Sequence, residues 1–157
     1  MHEMAVVTSI IDAICEKAAE EGATRVVACA LHVGEIRDIH EDLLQKYFDW
    51  FSRGTAAEGV QVAMHVIPLR YQCQECGRIY GYNLKDERIT DPFGDPLEDP
   101  AFQEGDTGDH VEREDGTCGC GHGHRMAKQR PHCFDHPEAS IAVISGTELF
   151  IGDIGII

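Results

Sequence analysis

The chain has 157 residues, 43% of them hydrophobic, and a formal net charge of −15. The length predicts one domain, or one domain with a small insert, and the charge excludes a nucleic-acid backbone as partner, because phosphates are neutralised by Lys and Arg. No apolar run reaches about eighteen residues and no basic stretch leads into an apolar one, so neither a membrane span nor a signal peptide is read.

The expected compartment is therefore the cytoplasm, where the seven cysteines stay reduced and serve as metal ligands or core residues. The chain opens with Met1-His2-Glu3. A histidine in second place brings the α-amino group of Met1, the backbone nitrogen of His2 and the His2 imidazole within reach of one ion. Nitrogen donors in a plane suit Ni(II) or Cu(II), and Glu3 can add a carboxylate oxygen or its own backbone nitrogen. The competing reading is a frayed, exposed terminus.

Met4, Val7, Ile11, Ile14 and Ala18 recur at three- and four-residue steps. They predict an amphipathic helix over 4–21, stopped by Gly22. Cys15 lies off that stripe as an ordinary helix residue. Arg25 to Val33 predicts a strand, with Val27, Cys29, Leu31 and Val33 on one face and Val26, Ala28, Ala30 and His32 on the other. Gly34 ends it, and His32 reads as a half-buried strand histidine rather than a ligand. Asp38 and Glu41 form a capping-box pattern for a second helix near Ile39. Leu43, Leu44, Tyr47, Phe48, Trp50 and Phe51 form a broad apolar face whose aromatics are expected in the core, and Gly54 stops it. Val60 to Ile67 alternates again as a strand, ended by Pro68.

From Arg70 to Pro137 the periodic patterns fade and metal-ligand residues gather. Cys73-Gln74-Glu75-Cys76-Gly77 is a CxxCG knuckle able to grip one Zn(II), which needs two further ligands. Cys133 and His136 repeat the spacing, so Cys73, Cys76, Cys133 and His136 form the first-choice zinc set. Cys118 and Cys120 are the alternative second half. A redox role for Cys73 and Cys76 is less favoured, since no βαβ pattern surrounds them. Residues 86–117 hold twelve acidic side chains against Arg88 and Arg113 alone. They predict a solvated, poorly ordered insertion. Directly after it, Cys118, Cys120, His122 and His124 alternate with glycines. With His132 they offer an alternative or second, labile metal site.

Ala139 to Ile144 and Glu148 to Ile157 read as two closing strands, with Ser145-Gly146-Thr147 as a hairpin turn. The expected fold is α+β: a small mixed or antiparallel sheet with two helices, plus an inserted zinc-ribbon-like domain. Residues 1–69 together with 138–157 are expected to make one α+β domain, which carries the terminal metal site. Residues 70–137 make the zinc-binding domain, with the acidic insertion at about 86–131.

Five stretches together resemble the HypA/HybF family, nickel-delivery and zinc-containing maturation factors of [NiFe]-hydrogenases. They are Met1-His2-Glu3, Leu31-His32-Val33-Gly34-Glu35, Arg53-Gly54-Thr55-Ala56-Ala57-Glu58-Gly59, Cys73-Gln74-Glu75-Cys76-Gly77 and Ile144-Ser145-Gly146-Thr147-Glu148-Leu149. The resemblance covers 1–85 and 132–157; residues 86–131 have no counterpart in it. It implies His2 as nickel ligand with nearby backbone nitrogens and Glu3 assisting. It also implies a zinc site of two CxxC pairs, the second falling on Cys133 and His136, where a histidine stands in place of the usual cysteine.

The resemblance implies a metallochaperone rather than an enzyme, carrying Ni(2+) as cargo and Zn(2+) as a structural ion. The implied partners are a maturation GTPase of the HypB kind and the [NiFe]-hydrogenase large-subunit precursor. Neither nucleic acid nor membrane is expected, and a homodimer is left open. The alternative is a zinc-ribbon protein-binding module without nickel transfer.

Overall fold

The computed structural model describes residues 2–97 and 129–157, and for residues 2 and 3 the backbone only. The elements run α1 (His2–Glu20), β1 (Val26–Gly34), a 3-10 turn (Glu35–Arg37), α2 (Glu41–Phe51), β2 (Gln61–Ile67), β3 (Arg70–Cys73), β4 (Ile79–Asn83), β5 (Arg88–Thr90), β6 (Ile141–Ser145) and β7 (Leu149–Ile156). This is an α+β fold with one mixed and one antiparallel sheet. It divides into two compact units, Met1–Leu69 with Ser145–Ile157, and Arg70–Ile144. Among the described residues, no helix is long and apolar enough to cross a membrane.

In the first unit the strand order is β2-β1-β7. The central β1 runs parallel to β2, with Leu31 opposite Met64, and antiparallel to β7, with Val33 opposite Leu149. The register slips between Val26/Ala28 and Cys29/Leu31. These irregularities break the simple alternation, so Val26 rather than Val27 joins Cys29, Leu31 and Val33 in the core. The stripe Val7, Ile10, Ile11, Ile14 and Ala18 of α1 packs into the same core. The helix ends as expected at Gly22, whose φ of 70° lets the Gly22 amide reach the Ala19 carbonyl (3.1 Å) and the Ala23 amide that of Ala18 (2.9 Å). Its start is earlier than expected. His2 and Glu3 belong to the first turn instead of preceding it.

Helix α2 corrects two expectations. It begins at Glu41, not near Ile39, and the Asp38 capping box does not form. Asp38 takes a left-handed φ of 50°, and the N-cap is His40 without a side-chain bond. Glu41 and Asp42 place their carboxylates in the first turn, where the helix dipole favours negative charge. Only Leu44 and Phe48 of α2 are fully buried, while Trp50 is 70% exposed. Trp50 follows Phe48 by two residues, roughly 200° around the helix. A helix lying on one sheet cannot bury both.

Two of the sequence motifs prove to be one structural corner. Gly34 donates its amide to the Glu148 carbonyl at 2.7 Å, and Ile36 donates to the Gly146 carbonyl at 3.0 Å. Arg37 donates from Nε to the carbonyls of Thr147 (2.9 Å) and Glu148 (3.1 Å), and the Glu35 carboxylate accepts the Leu69 amide at 2.9 Å. The Arg53–Gly59 stretch ties itself together in the same way. Glu58 accepts the Gly54 amide at 2.7 Å, Thr55 donates to the Ser52 carbonyl at 2.6 Å, and the Ala56 carbonyl accepts the Val26 amide at the start of β1.

At the corner, Glu148 accepts the Gly146 amide at 2.6 Å. Backbone hydrogen bonds of Glu148 itself, Gly146 and Thr147 hold its carboxyl below the usual range, against a smaller desolvation effect. A depressed folded value means stability that is present above the ordinary glutamate pKa and lost as pH falls through the folded one. Glu148→Gln is therefore expected to be less stable than wild type at pH 7, and the gap should close in acid. Paired urea titrations at pH 7 and at about pH 3 check this, and a gap that does not shrink counts against the carboxylate's role.

In the second unit the order is β5-β4-β3-β6, with Tyr71 opposite Tyr80 in the β3–β4 pair. The expected closing hairpin does not form. β6 pairs with β3 in this sheet, and β7 pairs with β1 in the other. The bonds that Gly34 and Ile36 make to Glu148 and Gly146 draw the chain onto β1, so Ser145-Gly146-Thr147 leads from one sheet to the other. One more expectation is corrected. The acidic stretch does not begin as loose chain, because Arg88–Thr90 is a strand and the Asp91 carboxylate accepts the amides of Phe93 (2.8 Å) and Asp95 (2.9 Å). The unit also has a small core of its own, Tyr71, Cys73, Tyr80, Ile89 and Cys133.

Candidate metal centre

Cys73 ends β3, and the chain turns back on itself to start β4. The Gly77 amide bonds the Cys73 carbonyl and the Cys73 amide bonds the Arg78 carbonyl, each at 3.0 Å, with Gly77 at a φ of 73°. That turn faces Cys76 toward the sulfur of Cys73. Cys133 and His136 approach from the segment ahead of β6. The Gln74 amide bonds the Ser140 carbonyl at 2.9 Å, and the Tyr71 hydroxyl bonds the His132 carbonyl at 2.9 Å, which fixes that segment against β3.

The donor atoms of Cys73, Cys76, Cys133 and His136 all lie within 4.8 Å of one another. All three cysteines are free thiols. A tetrahedral zinc about 2.3 Å from each sulfur would set its sulfurs about 3.8 Å apart. The Cys76 and Cys133 sulfurs are 3.6 Å apart, and Nδ1 of His136 is 3.9 Å from the Cys133 sulfur. Size and chemistry of the donor set fit that ion.

Cys73 and Cys133 are buried, Cys76 is exposed and His136 is half-buried. Burial alone would push the Cys133 thiol up. Hydrogen bonds from Tyr80, from His136 and from the backbone of His136 and Asp135 overcome it, and the thiol is lowered to about 6. The bond to Cys133 raises His136 above the usual histidine range, with the Glu75 carboxylate adding to it against desolvation. For Cys76 the Arg78 amide favours the thiolate, but desolvation and the Cys133 and Cys73 sulfurs leave the thiol above its ordinary value. Nε2 of His136 lies 3.8 Å from a Glu75 oxygen. That distance is too long for a hydrogen bond, so Glu75 acts on the His136 ring through its charge alone.

Three residues of this centre carry no ligand signature in the sequence. Tyr80 places its hydroxyl 3.4 Å from the Cys133 sulfur, and burial, then that bond, push the phenol up to about 12. Arg78 sits over the Tyr80 ring at 5.1 Å and pairs with Asp135 at 3.3 Å. Glu75 lies inside the first knuckle, between its two cysteines. The available signal was position: Tyr80 alternates with the core along β4, four residues after Cys76.

Of the other candidates, His132 is not among these four donors. His132 bonds the Arg130 carbonyl through Nδ1 at 2.8 Å and packs edge-on against Phe134. Met1, Cys118, Cys120, His122 and His124 lie outside the described residues, as do the side chains of His2 and Glu3. The backbone of His2 and Glu3 forms the first turn of α1. The first amides of a helix have no partner within it, so the helix itself does not consume the nitrogens that a terminal nickel site would use.

Comparison with known proteins bears on the whole chain. The sequence family described as "Hydrogenase/urease nickel incorporation, metallochaperone, hypA" matches residues 1–156. Curated relatives named "Hydrogenase maturation factor HypA" are similar over about half the chain. The one from Geobacter metallireducens is 35% identical over 78 residues, which is 50% of this chain and 68% of the relative. The one from Pyrococcus furiosus is 32% identical over 80 residues, 51% of this chain and only 58% of the relative. Two solved structures share the fold. "Solution structure of the Ni metallochaperone HypA from Helicobacter pylori" matches with a TM-score of 0.50 and 14% identity, over 98% of this chain and 96% of that one. "Solution structure of HypA protein" matches with a TM-score of 0.55 and 15% identity, over 100% and 97%.

Proposed function

The chain belongs to the HypA family of hydrogenase/urease nickel-incorporation metallochaperones, and from that premise we propose that it binds Ni(II) at Met1, His2 and Glu3 and delivers it during [NiFe]-hydrogenase maturation. The family is one of metal carriers, not enzymes. Cys73, Cys76, Cys133 and His136 hold a structural zinc in this reading. The carrier works in the cytoplasm with a GTPase of the HypB kind and with the hydrogenase large-subunit precursor. The observation that carries the reading is the family match across residues 1–156.

Physically, the task needs a nickel site that is selective and still releases its ion. A terminal amine, backbone nitrogen and imidazole suit Ni(II). At a chain end they can be exchanged one ligand at a time for those of an acceptor. The test is metal content and nickel titration of untagged wild type beside His2→Ala, because an added N-terminal tag would itself displace the amine. Wild type should hold one tight zinc and take up nickel. His2→Ala should keep the zinc and bind nickel at least roughly a hundredfold more weakly, since even outer-shell losses cost about ten- to a hundredfold. Unchanged nickel binding in His2→Ala would make Met1-His2-Glu3 only a terminus and leave the Cys118–His124 stretch as the leading nickel site.

A further inference from the structure

Cys133 is the most enclosed sulfur of the centre, with no exposed surface. The Tyr80 hydroxyl, 3.4 Å away, also lies 3.3 Å from the Phe134 amide. An amide N–H can only donate, so the Tyr80 oxygen accepts there. Its single proton is then free, and the sulfur is the acceptor within reach. A thiolate bound to a metal has no proton to give, which leaves one direction for the bond, from Tyr80 O–H to the Cys133 sulfur. Arg78 holds its guanidinium over the Tyr80 ring face, anchored by Asp135. A cation there draws density from the ring and makes the hydroxyl a better donor.

We propose that Tyr80 is a positioning residue for the metal centre: its O–H bond withdraws charge from the Cys133 thiolate, making Cys133 the inert thiolate and leaving Cys76 as the sulfur through which the centre reacts or exchanges ligands. Access points the same way, since Cys76 is exposed and the other two cysteines are buried. Asp135, Arg78, Tyr80 and Cys133 form one chain of contacts from the surface of this unit to the metal thiolate. This inference rests on the four-residue set as a zinc site.

The test compares full-length wild type with Tyr80→Phe, which keeps the ring and removes only the hydroxyl. With Co(II) in place of zinc, the sulfur-to-cobalt charge-transfer band should move to lower energy in Tyr80→Phe, because the sulfur lone pair is no longer stabilised. With zinc bound, iodoacetamide alkylation followed by mass spectrometry gives the Cys133-to-Cys76 rate ratio, each thiolate displacing iodide to form a thioether. That ratio should rise about two- to tenfold, the worth of one hydrogen bond. A merely structural role would lower stability without moving the band. If Tyr80→Phe binds one metal with band and ratio unchanged, the proposal fails. If Tyr80→Phe does not fold, Arg78→Gln decides it: a smaller shift in the same direction supports the proposal and an unmoved band overturns it. A failure of the zinc reading itself shows separately, as Cys133→Ser protein that binds as much zinc as wild type.

Discussion

Cys133→Ser protein is expected to lose its zinc and, with it, the folded state of Arg70–Ile144. Serine matches the cysteine in size, so packing is nearly unchanged and the loss is that of a ligand. Two of the five buried core residues described in that unit, Cys73 and Cys133, are also among the four candidate metal donors. The other buried core residues described there are Tyr71, Tyr80 and Ile89, with Tyr82, Leu97, Phe134, Ala139 and Ile141 packed partly buried against them, a small apolar surface against the ordering of the chain around it. A structural zinc supplies an apparent binding energy of about 10–16 kcal/mol in small domains of this kind, and that energy is folding energy. The first unit has a separate core built on α1, α2 and β1 and should remain folded. Zinc analysis should fall from one equivalent to none. Amide resonances of β3, β4 and β5 should collapse toward random-coil positions while those of α1 and β1 stay dispersed. Retention of one zinc with dispersed resonances throughout would remove Cys133 from the ligand set.

Gly34→Ala should destabilise the first unit by about 3 kcal/mol, the upper end of overpacking costs. A Cβ on Gly34 would stand 2.2 Å from the Gly146 oxygen, 2.3 Å from its carbonyl carbon and 2.6 Å from the Thr147 nitrogen. These are backbone atoms, which cannot turn aside as a long side chain would. Gly146 itself has a φ of 98° and would meet Leu69 at 2.6 Å if it carried a Cβ. Moving the corner apart breaks the bonds of Gly34 and Ile36 to Glu148 and Gly146. For a unit of this size the loss corresponds to a midpoint lower by at least roughly 10 °C. Thermal unfolding followed at the α1 and β1 resonances checks it. A change under about 1 kcal/mol would mean that the corner yields at little cost.

The order helix, strand, helix, strand over the first 67 residues could be read from the sequence because each element carries its own period. The cluster of four candidate donors was legible for a similar reason, since CxxC spacing reflects the geometry of one turn. Partners in space were harder to read. β6 and β7 look like a hairpin because they are close in sequence, yet each is captured by a strand far along the chain. Trp50 looked like core because its helix has apolar residues on more than one side, and only the placement of the sheet decides which side is covered. The acidic count concealed β5, since Asp91 spends its carboxylate on backbone amides rather than on solvent. Tyr80 was invisible as a functional residue because its role depends on Cys133, which lies 53 positions away.

The three-stranded sheet of the first unit takes its last strand from beyond the second unit, and this sets an order of events during synthesis. β2 ends at Ile67 and β7 begins at Leu149. At about 5–20 residues per second, the roughly eighty intervening residues occupy the ribosome for about 4–16 seconds. Throughout that time β1 has β2 on one side and a bare edge of unpaired amides and carbonyls on the other, the kind of edge that invites pairing with another chain. The helix bearing His2 therefore waits on a strand made after the second unit, and Cys73, Cys76, Cys133 and His136 have all been synthesised before the sheet beneath that helix can close. Until β7 arrives, that edge of β1 is where a chain of this topology is open to mispairing.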